Sequence, residues 1–168
     1  MKQVFVAVLM GSDSDLPTMQ ATLDTLTSLG VAWEVKITSA HRTPAATHDY
    51  VTTAEQRGCQ VFIAAAGLAA HLAGAVAALT TRPVIGVPME GGPLNGFDAL
   101  LSTVQMPGGT PVGSVAIGKA GAKNAAYLAA QILALQDPVL AQRLKDERAA
   151  NAAQILTKDA AIQAKLKG

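Results

Sequence analysis

The sequence has a single cysteine and few aromatic residues, and both shortages limit what the protein can be. Cys59 is the only cysteine among 168 residues, so no disulfide can form within the chain and nothing favours secretion. We expect Cys59 to act as a small buried apolar side chain. Aromatic residues make up only 4% of a chain that is half apolar, so close contacts among Ala, Val, Leu and Ile must build the core.

The sequence also lacks an excess of charge of either sign. Thirteen basic and twelve acidic side chains are spread along it, for a net charge of +1. Nucleic acid and anionic lipid are usually bound by a basic patch, so we expect neither partner. The apolar stretches are far shorter than the ~20 residues that span a bilayer, and the short apolar opening has no signal-peptide cleavage pattern after it. We therefore expect a soluble cytoplasmic protein without a membrane partner.

Short apolar runs alternate with helix-like segments through most of the chain. The apolar runs are residues 4–10, 31–37, 61–66, 84–87 and 112–117. We interpret them as runs without alternation of apolar and polar residues, which indicates strands covered on both faces. The helix-like segments between them are residues 16–29, 44–57, 71–81 and 96–105. Strands that alternate with helices predict an α/β protein with a parallel sheet and right-handed crossovers.

The chain continues with two more helical segments, at 119–135 and from Pro138 nearly to Lys167. The last segment has only a thin apolar stripe among charges and alanines, formed by Leu140, Leu144, Ile155, Ile162 and Leu166. Such a stripe fits a solvated helix along its own domain, or a helix that contacts another subunit. No repeat or linker divides the sequence, so we expect a single domain over 1–168.

Three polar turns follow the first three strands, and they should meet at one edge of the sheet. Their sequences are MGSDSDLP, TSAHRTP and AAGLAAHLAG. In open α/β sheets the ligand crevice lies beyond the carboxyl ends of the strands, where the strand order reverses. We therefore expect the functional site at these turns.

The first turn has more polar groups than its local structure needs. Gly11 permits a tight turn, and either Ser14 or Asp15 can cap the following helix. Two carboxylates would repel a phosphate at the helix N-terminus, so the serine and carboxylate oxygens suit ribose hydroxyls better. A role in capping alone stays open.

The second turn carries groups suited to proton transfer and anion binding. Thr43 fits the N-cap of the next helix and Pro44 its first residue, so Ser39, His41 and Arg42 are left without a structural task. Arg42 beside a helix N-terminus favours a phosphate monoester, with a surface ion pair as the alternative. Histidine can give and take a proton near neutral pH.

The other two histidines do not complete a metal site. His71 opens the third helix and can line the same crevice, whereas His48 lies within the second helix and should be exposed. The sequence has no HExxH motif, no His-x-x-x-His pair and no second cysteine. It also lacks the dinucleotide and Walker patterns. We therefore expect no metal and no cofactor.

The motifs taken together resemble a known family. These motifs are MGSDSD, SAHRTP, GLAAHLAG, PVIGVP and TVQMPGGTPVGSVAIGKAGAKNAAYLAAQIL. Together they resemble the N5-carboxyaminoimidazole ribonucleotide mutase family of purine biosynthesis, and the resemblance covers nearly the whole chain. The resemblance implies a three-layer flavodoxin-like fold with helices on both faces of a parallel sheet, a C-terminal helical extension and a homo-octamer. It also implies an isomerase that moves a carboxylate from an exocyclic nitrogen to a ring carbon of a phosphorylated aminoimidazole ribonucleotide.

The resemblance assigns roles to particular residues. It implies that the acid/base is His41 and that the substrate-binding residues are Ser12, Asp15, Arg42, Ser39, Ala70 and His71. The substrate is a carbamate, so protonation of its nitrogen releases carbon dioxide, which the ring carbon can then attack. Such a reaction requires neither metal nor ATP.

The third turn departs from the family pattern, and two alternatives stay open. Many members have Gly-Gly-Ala-Ala-His-Leu-Pro-Gly where this chain has Leu68 and Ala73. A sister branch carboxylates aminoimidazole ribonucleotide directly with carbon dioxide and usually departs from Ala-Ala-His-Leu, so the AAHL segment favours the mutase. The other alternative is a flavodoxin-like binding module for a phosphorylated ligand, without chemistry.

Overall fold

A computed structural model describes residues 3–167, so positions 1, 2 and 168 of the predicted domain lie outside the described residues. The strands are β1 (Phe5–Met10), β2 (Trp33–Ile37), β3 (Cys59–Ala66), β4 (Val84–Pro88) and β5 (Gly113–Ser114). The helices are α1 (Leu16–Ser28), α2 (Pro44–Arg57), α3 (Leu72–Ala77), α4 (Phe97–Val104), α5 (Gly118–Ala134) and α6 (Pro138–Lys167). All strand pairs are parallel, in the order β2-β1-β3-β4-β5. This is the flavodoxin-like order, and it confirms the predicted α/β fold.

Helices cover both faces of the sheet. On one face, Val6, Val8 and Ile63 belong to a core cluster with residues of α1 and α5. On the other face, Phe5 and Phe62 pack with residues of α2 and α3. The central strands are buried on both sides, which explains their continuous apolar runs.

Strand β2 is an edge strand and differs from the prediction. The apolar run predicts a strand covered on both faces, but Trp33, Val35 and Ile37 are 38%, 37% and 51% exposed. Glu34 and Lys36 alternate with the apolar residues from Trp33 onwards, and such alternation is typical of a strand that is not covered on both faces. The fifth strand is also shorter than predicted, because it pairs only with Ile85 and Gly86.

Helix α6 begins at Pro138 as predicted, and only its first turns pack on the domain. Leu140 is buried, Leu144 packs on the cluster of α1 and α5, and Arg143 Nη1 donates a hydrogen bond to the Leu29 carbonyl at 3.0 Å. Every residue from 148 to 167 is exposed. Over residues 3–167, no helix combines the length and apolar character required to cross a membrane.

Candidate active site

The three polar turns converge at the carboxyl ends of β1, β2 and β3, as predicted. They surround a cavity of about 510 Å³ whose lining comprises Gly11, Ser12, Ser14, Asp15, Ser39, Ala40, His41, Arg42, Ala66, Gly67, Leu68, Ala69, His71, Leu72, Met89, Glu90, Gly91 and Gly92. The cavity lies where the strand order reverses, between β1 and β3. Residues 89–92, which follow β4, form a fourth wall of the cavity, which was not predicted from the sequence.

The first turn is held by a capping box. The Ser12 side chain accepts a hydrogen bond from Ser14 N at 3.2 Å, and the Asp15 carboxylate accepts one from Ser12 N at 3.2 Å. Ser12 thus caps a short 3-10 turn at Asp13–Asp15, whereas Asp15 occupies the N-cap position of α1, as one of the two predicted residues, without a side-chain capping hydrogen bond. Burial raises the pKa of Asp15, and the hydrogen bond from Ser12 N opposes this shift in part. Both residues thus shape the turn while they line the cavity.

The second turn is clamped from within, in a way that differs from the prediction. Thr43 occupies the N-cap position and Pro44 begins α2, but the Thr43 hydroxyl makes no capping hydrogen bond. It accepts one from Ser39 N at 2.9 Å instead, while the Ser39 hydroxyl accepts one from Arg42 N at 3.2 Å. Ser39 therefore has a structural task that we did not predict, which is to hold the segment that carries His41.

Arg42 joins the second turn to the first. Its Nη2 donates a hydrogen bond to the Gly11 carbonyl at 3.2 Å. Within residues 3–167 its guanidinium forms no ion pair, which was the alternative role for this residue. A guanidinium has five donors, so Arg42 can bind an anion while it keeps the contact with Gly11.

His41 and His71 contact each other directly. His41 Nε2 lies 2.8 Å from His71 Nδ1, and the ring centroids are 5.0 Å apart with an interplanar angle of 81°. His71 stands immediately before α3 and joins the third turn to the second. His48 is exposed beside Asp49, as predicted. His41 and His71 were predicted to line one crevice, but their hydrogen bond was not predicted.

The third turn contains a leucine in a conformation that favours glycine. Leu68 has a φ of 54° and is 55% exposed. Its side chain lies over Gly92, where an added β-carbon would be 2.5 Å from Leu68 Cδ2. Ala70 is buried and does not line the cavity, although its N–H bonds to the Leu68 carbonyl at 2.8 Å. Ala73 takes a regular position in α3.

A second cleft, of about 560 Å³, lies between α5 and α6. Its polar groups include Lys123, Lys145 and Tyr127, whose hydroxyl donates a hydrogen bond to Glu147. The cleft is remote from the strand ends and has no histidine in its lining. The cavity at the strand ends is therefore the candidate active site.

Comparison with known proteins gives consistent matches over most of the chain. The family model described as AIR carboxylase matches residues 5–154. The N5-carboxyaminoimidazole ribonucleotide mutase of Bacillus subtilis is 55% identical over 152 residues, which cover 90% of this chain and 93% of that protein. The protein of the same name in Escherichia coli is 53% identical over 151 residues, covering 90% and 89%. A crystal structure of Treponema denticola PurE superposes with a TM-score of 0.84 at 30% identity, covering 93% of this chain and 96% of that one.

Proposed function

Because this chain belongs to the AIR carboxylase family, we propose that the cavity at the ends of β1, β2 and β3 is its active site, with His41 as the acid/base. The enzyme is an isomerase of purine biosynthesis that converts N5-carboxyaminoimidazole ribonucleotide to 4-carboxy-5-aminoimidazole ribonucleotide, the activity for which its relatives are named. The observation that carries the assignment of the site is the convergence of His41 and Arg42 with the Ser12–Asp15 turn around one cavity.

The substrate's phosphate and ribose are assigned to different turns. Arg42 offers a fork of donors beside the N-terminus of α2, which together favour a phosphate monoester. Ser12 and Asp15 supply oxygens for the ribose hydroxyls. Ser39 and Ala70 contribute through their hydrogen bonds to the shape of the second and third turns. His71 completes the pocket beside His41.

The chemistry needs one proton delivered and one removed. His41 protonates the carbamate nitrogen, the carbon–nitrogen bond breaks, and carbon dioxide leaves a neutral aminoimidazole. The electron-rich ring carbon then attacks carbon dioxide, and His41 removes the proton from that carbon to restore the aromatic ring. Acid/base assistance of this kind contributes roughly a hundred- to ten-thousand-fold in rate. Ala69 and Leu72 of the third turn give the cavity an apolar part of its lining, to which we assign the retention of carbon dioxide.

The proposal extends to the assembly and its location. We assign residues 1–168 to one α/β domain and the tail of α6 to a contact with a neighbouring subunit of a homo-octamer in the cytoplasm. Ile155, Ile162 and Leu166 support the contact, since they are 63%, 55% and 77% exposed. The octamer rests on the family resemblance. A free, buried Cys59 agrees with a reducing compartment.

A comparison of substrates tests the proposed reaction. Purified protein without ATP or added metal should convert N5-carboxyaminoimidazole ribonucleotide faster than aminoimidazole ribonucleotide with bicarbonate. Faster turnover of the second mixture would instead identify a direct carboxylase. If the protein bound both ribonucleotides and converted neither, it would be a binding module for a phosphorylated ligand and not an enzyme.

A further inference from the structure

We propose that His71 is a positioning residue that holds the imidazole of His41, so that His41 Nδ1 is the nitrogen that exchanges a proton with the substrate. The inference rests on the proposed function, because it assigns an atom within the acid/base of that reaction. It starts from the distance of 2.8 Å between His41 Nε2 and His71 Nδ1. This contact gives His71 a task toward another side chain rather than toward the ligand.

The hydrogen bond removes one of the two ring nitrogens of His41 from the reaction. Whichever ring donates the proton, Nε2 of His41 is occupied by His71, so only Nδ1 is available to the substrate. A neutral imidazole has one donor nitrogen and one acceptor nitrogen, whereas an imidazolium has two donors. The tautomers of the two rings are therefore linked.

The direction of the hydrogen bond follows from the proton cycle of His41. If His41 Nε2 donates, the bond persists in both protonation states, because only Nδ1 gains and loses a proton. If His71 donated instead, each protonation of His41 would place two N–H groups face to face and break the contact. The proton cycle therefore leaves the acceptor role to His71 Nδ1, with the proton of His71 on its Nε2.

The backbone around His71 makes it a stable support. Its N–H donates to the Ala69 carbonyl at 2.9 Å, and its carbonyl accepts from Ala75 N at 2.9 Å, in the first turn of α3. His41 lies on the segment that Ser39 and Thr43 clamp. Two turns with independent supports thus meet at this hydrogen bond, which limits rotation of the His41 ring.

Two substitutions of His71 separate a positioning role from other roles. In His71→Asn the amide oxygen can occupy the place of Nδ1 and accept from His41, although the side chain cannot carry a proton. In His71→Leu no acceptor remains. We expect His71→Leu to lower kcat on the order of 10- to 100-fold, by analogy with the loss of the hydrogen-bond partner that orients a metal-bound histidine, with KM within about threefold. His71→Asn should recover most of the rate.

A double variant supplies a readout that loss of structure would not give. If His71 acts through His41, then His41→Asn/His71→Leu should be no slower than His41→Asn alone, since the two effects are not additive within one unit. Melting temperatures should stay close to that of the wild type, because the side chains of both histidines are exposed.

Three results would overturn the inference. They are a His71→Leu protein with normal kcat, a His71→Asn protein as slow as His71→Leu, or a double variant slower than His41→Asn. The second would mean that His71 itself carries protons. If His41→Asn were itself fully active, the proposed function would fail first, so the two failures are distinguishable.

Discussion

Replacement of Arg42 by alanine should weaken substrate binding far more than it slows the chemistry. The variant lacks one or two charge-assisted hydrogen bonds to the phosphate, each worth roughly 1.5 to 3 kcal/mol. Because Arg42 is exposed, we expect the free energy of substrate binding to weaken by about 2 to 3 kcal/mol, which raises Kd roughly 30- to 150-fold. The phosphate contact is the same in the ground state and the transition state, so kcat should fall much less than the affinity.

The stability of the Arg42→Ala protein should change little. Within residues 3–167, the substitution removes a single side-chain hydrogen bond, the exposed one from Arg42 Nη2 to the Gly11 carbonyl at 3.2 Å. Its contribution to the free energy of unfolding is about 1 kcal/mol or less. Arg42→Lys keeps the charge but not the planar fork of donors, and so should give an intermediate Kd.

Calorimetric titration of substrate or product measures the affinities, and steady-state kinetics measure kcat. Arg57→Ala is the matched control, because Arg57 lies at the opposite end of α2 and pairs with Glu34. Its Kd should equal that of the wild type. An unchanged Kd in Arg42→Ala, or an equal loss in Arg57→Ala, would refute the assignment of Arg42 to the phosphate.

Three further predictions concern pH, strain and assembly. Burial raises the pKa of Asp15 in the folded protein, so the free energy of unfolding should gain from this group as pH falls from neutral through the raised pKa towards the usual value. Asp15→Asn should remove this part of the pH dependence. A pH profile of stability in urea denaturation that is the same in Asp15→Asn and the wild type would contradict the prediction. Leu68→Gly should raise the free energy of unfolding by about 0.5 to 1 kcal/mol, because relief of the left-handed conformation outweighs the greater freedom of glycine in the unfolded chain. Leu68→Ala keeps that conformation, so an equal gain there would argue against strain. Deletion of residues 148–168 should reduce the number of subunits in the assembly, as measured by light scattering. A mass that falls only by the mass of the deleted residues would mean an unchanged number of subunits and would contradict the proposed contact of the tail.

The elements marked by proline and glycine were predicted most closely from the sequence. Pro44 and Gly58 delimit α2 at the predicted residues, because proline is accommodated in the first turn and glycine takes the left-handed C-cap, with a φ of 118°. The edge position of β2 was not predicted in this way. Glu34 and Lys36 within its apolar run were a local signal of an exposed strand, but which strand lies beside β2 is a property of the whole sheet.

The candidate site was predictable as a set of turns but not as a set of contacts. Parallel strands bring their carboxyl ends to one edge, so His41 and His71 could be placed in one crevice from spacing alone. Their hydrogen bond and the clamp between Ser39 and Thr43 depend on the paths of two loops, which the residue types do not determine. The wall at 89–92 was missed although it contains Glu90 and two glycines, because the prediction was confined to the turns after the first three strands.

The most direct test of the account is the turnover of His41→Asn on N5-carboxyaminoimidazole ribonucleotide, measured beside His48→Asn as the exposed control. Asparagine is polar and of similar size but cannot carry a proton near neutral pH. We predict that His41→Asn loses roughly a hundred- to ten-thousand-fold in kcat. Its melting temperature and product affinity should stay near those of the wild type, and His48→Asn should be fully active. A folded His41→Asn protein with near-normal turnover would contradict the central claim that His41 moves the proton.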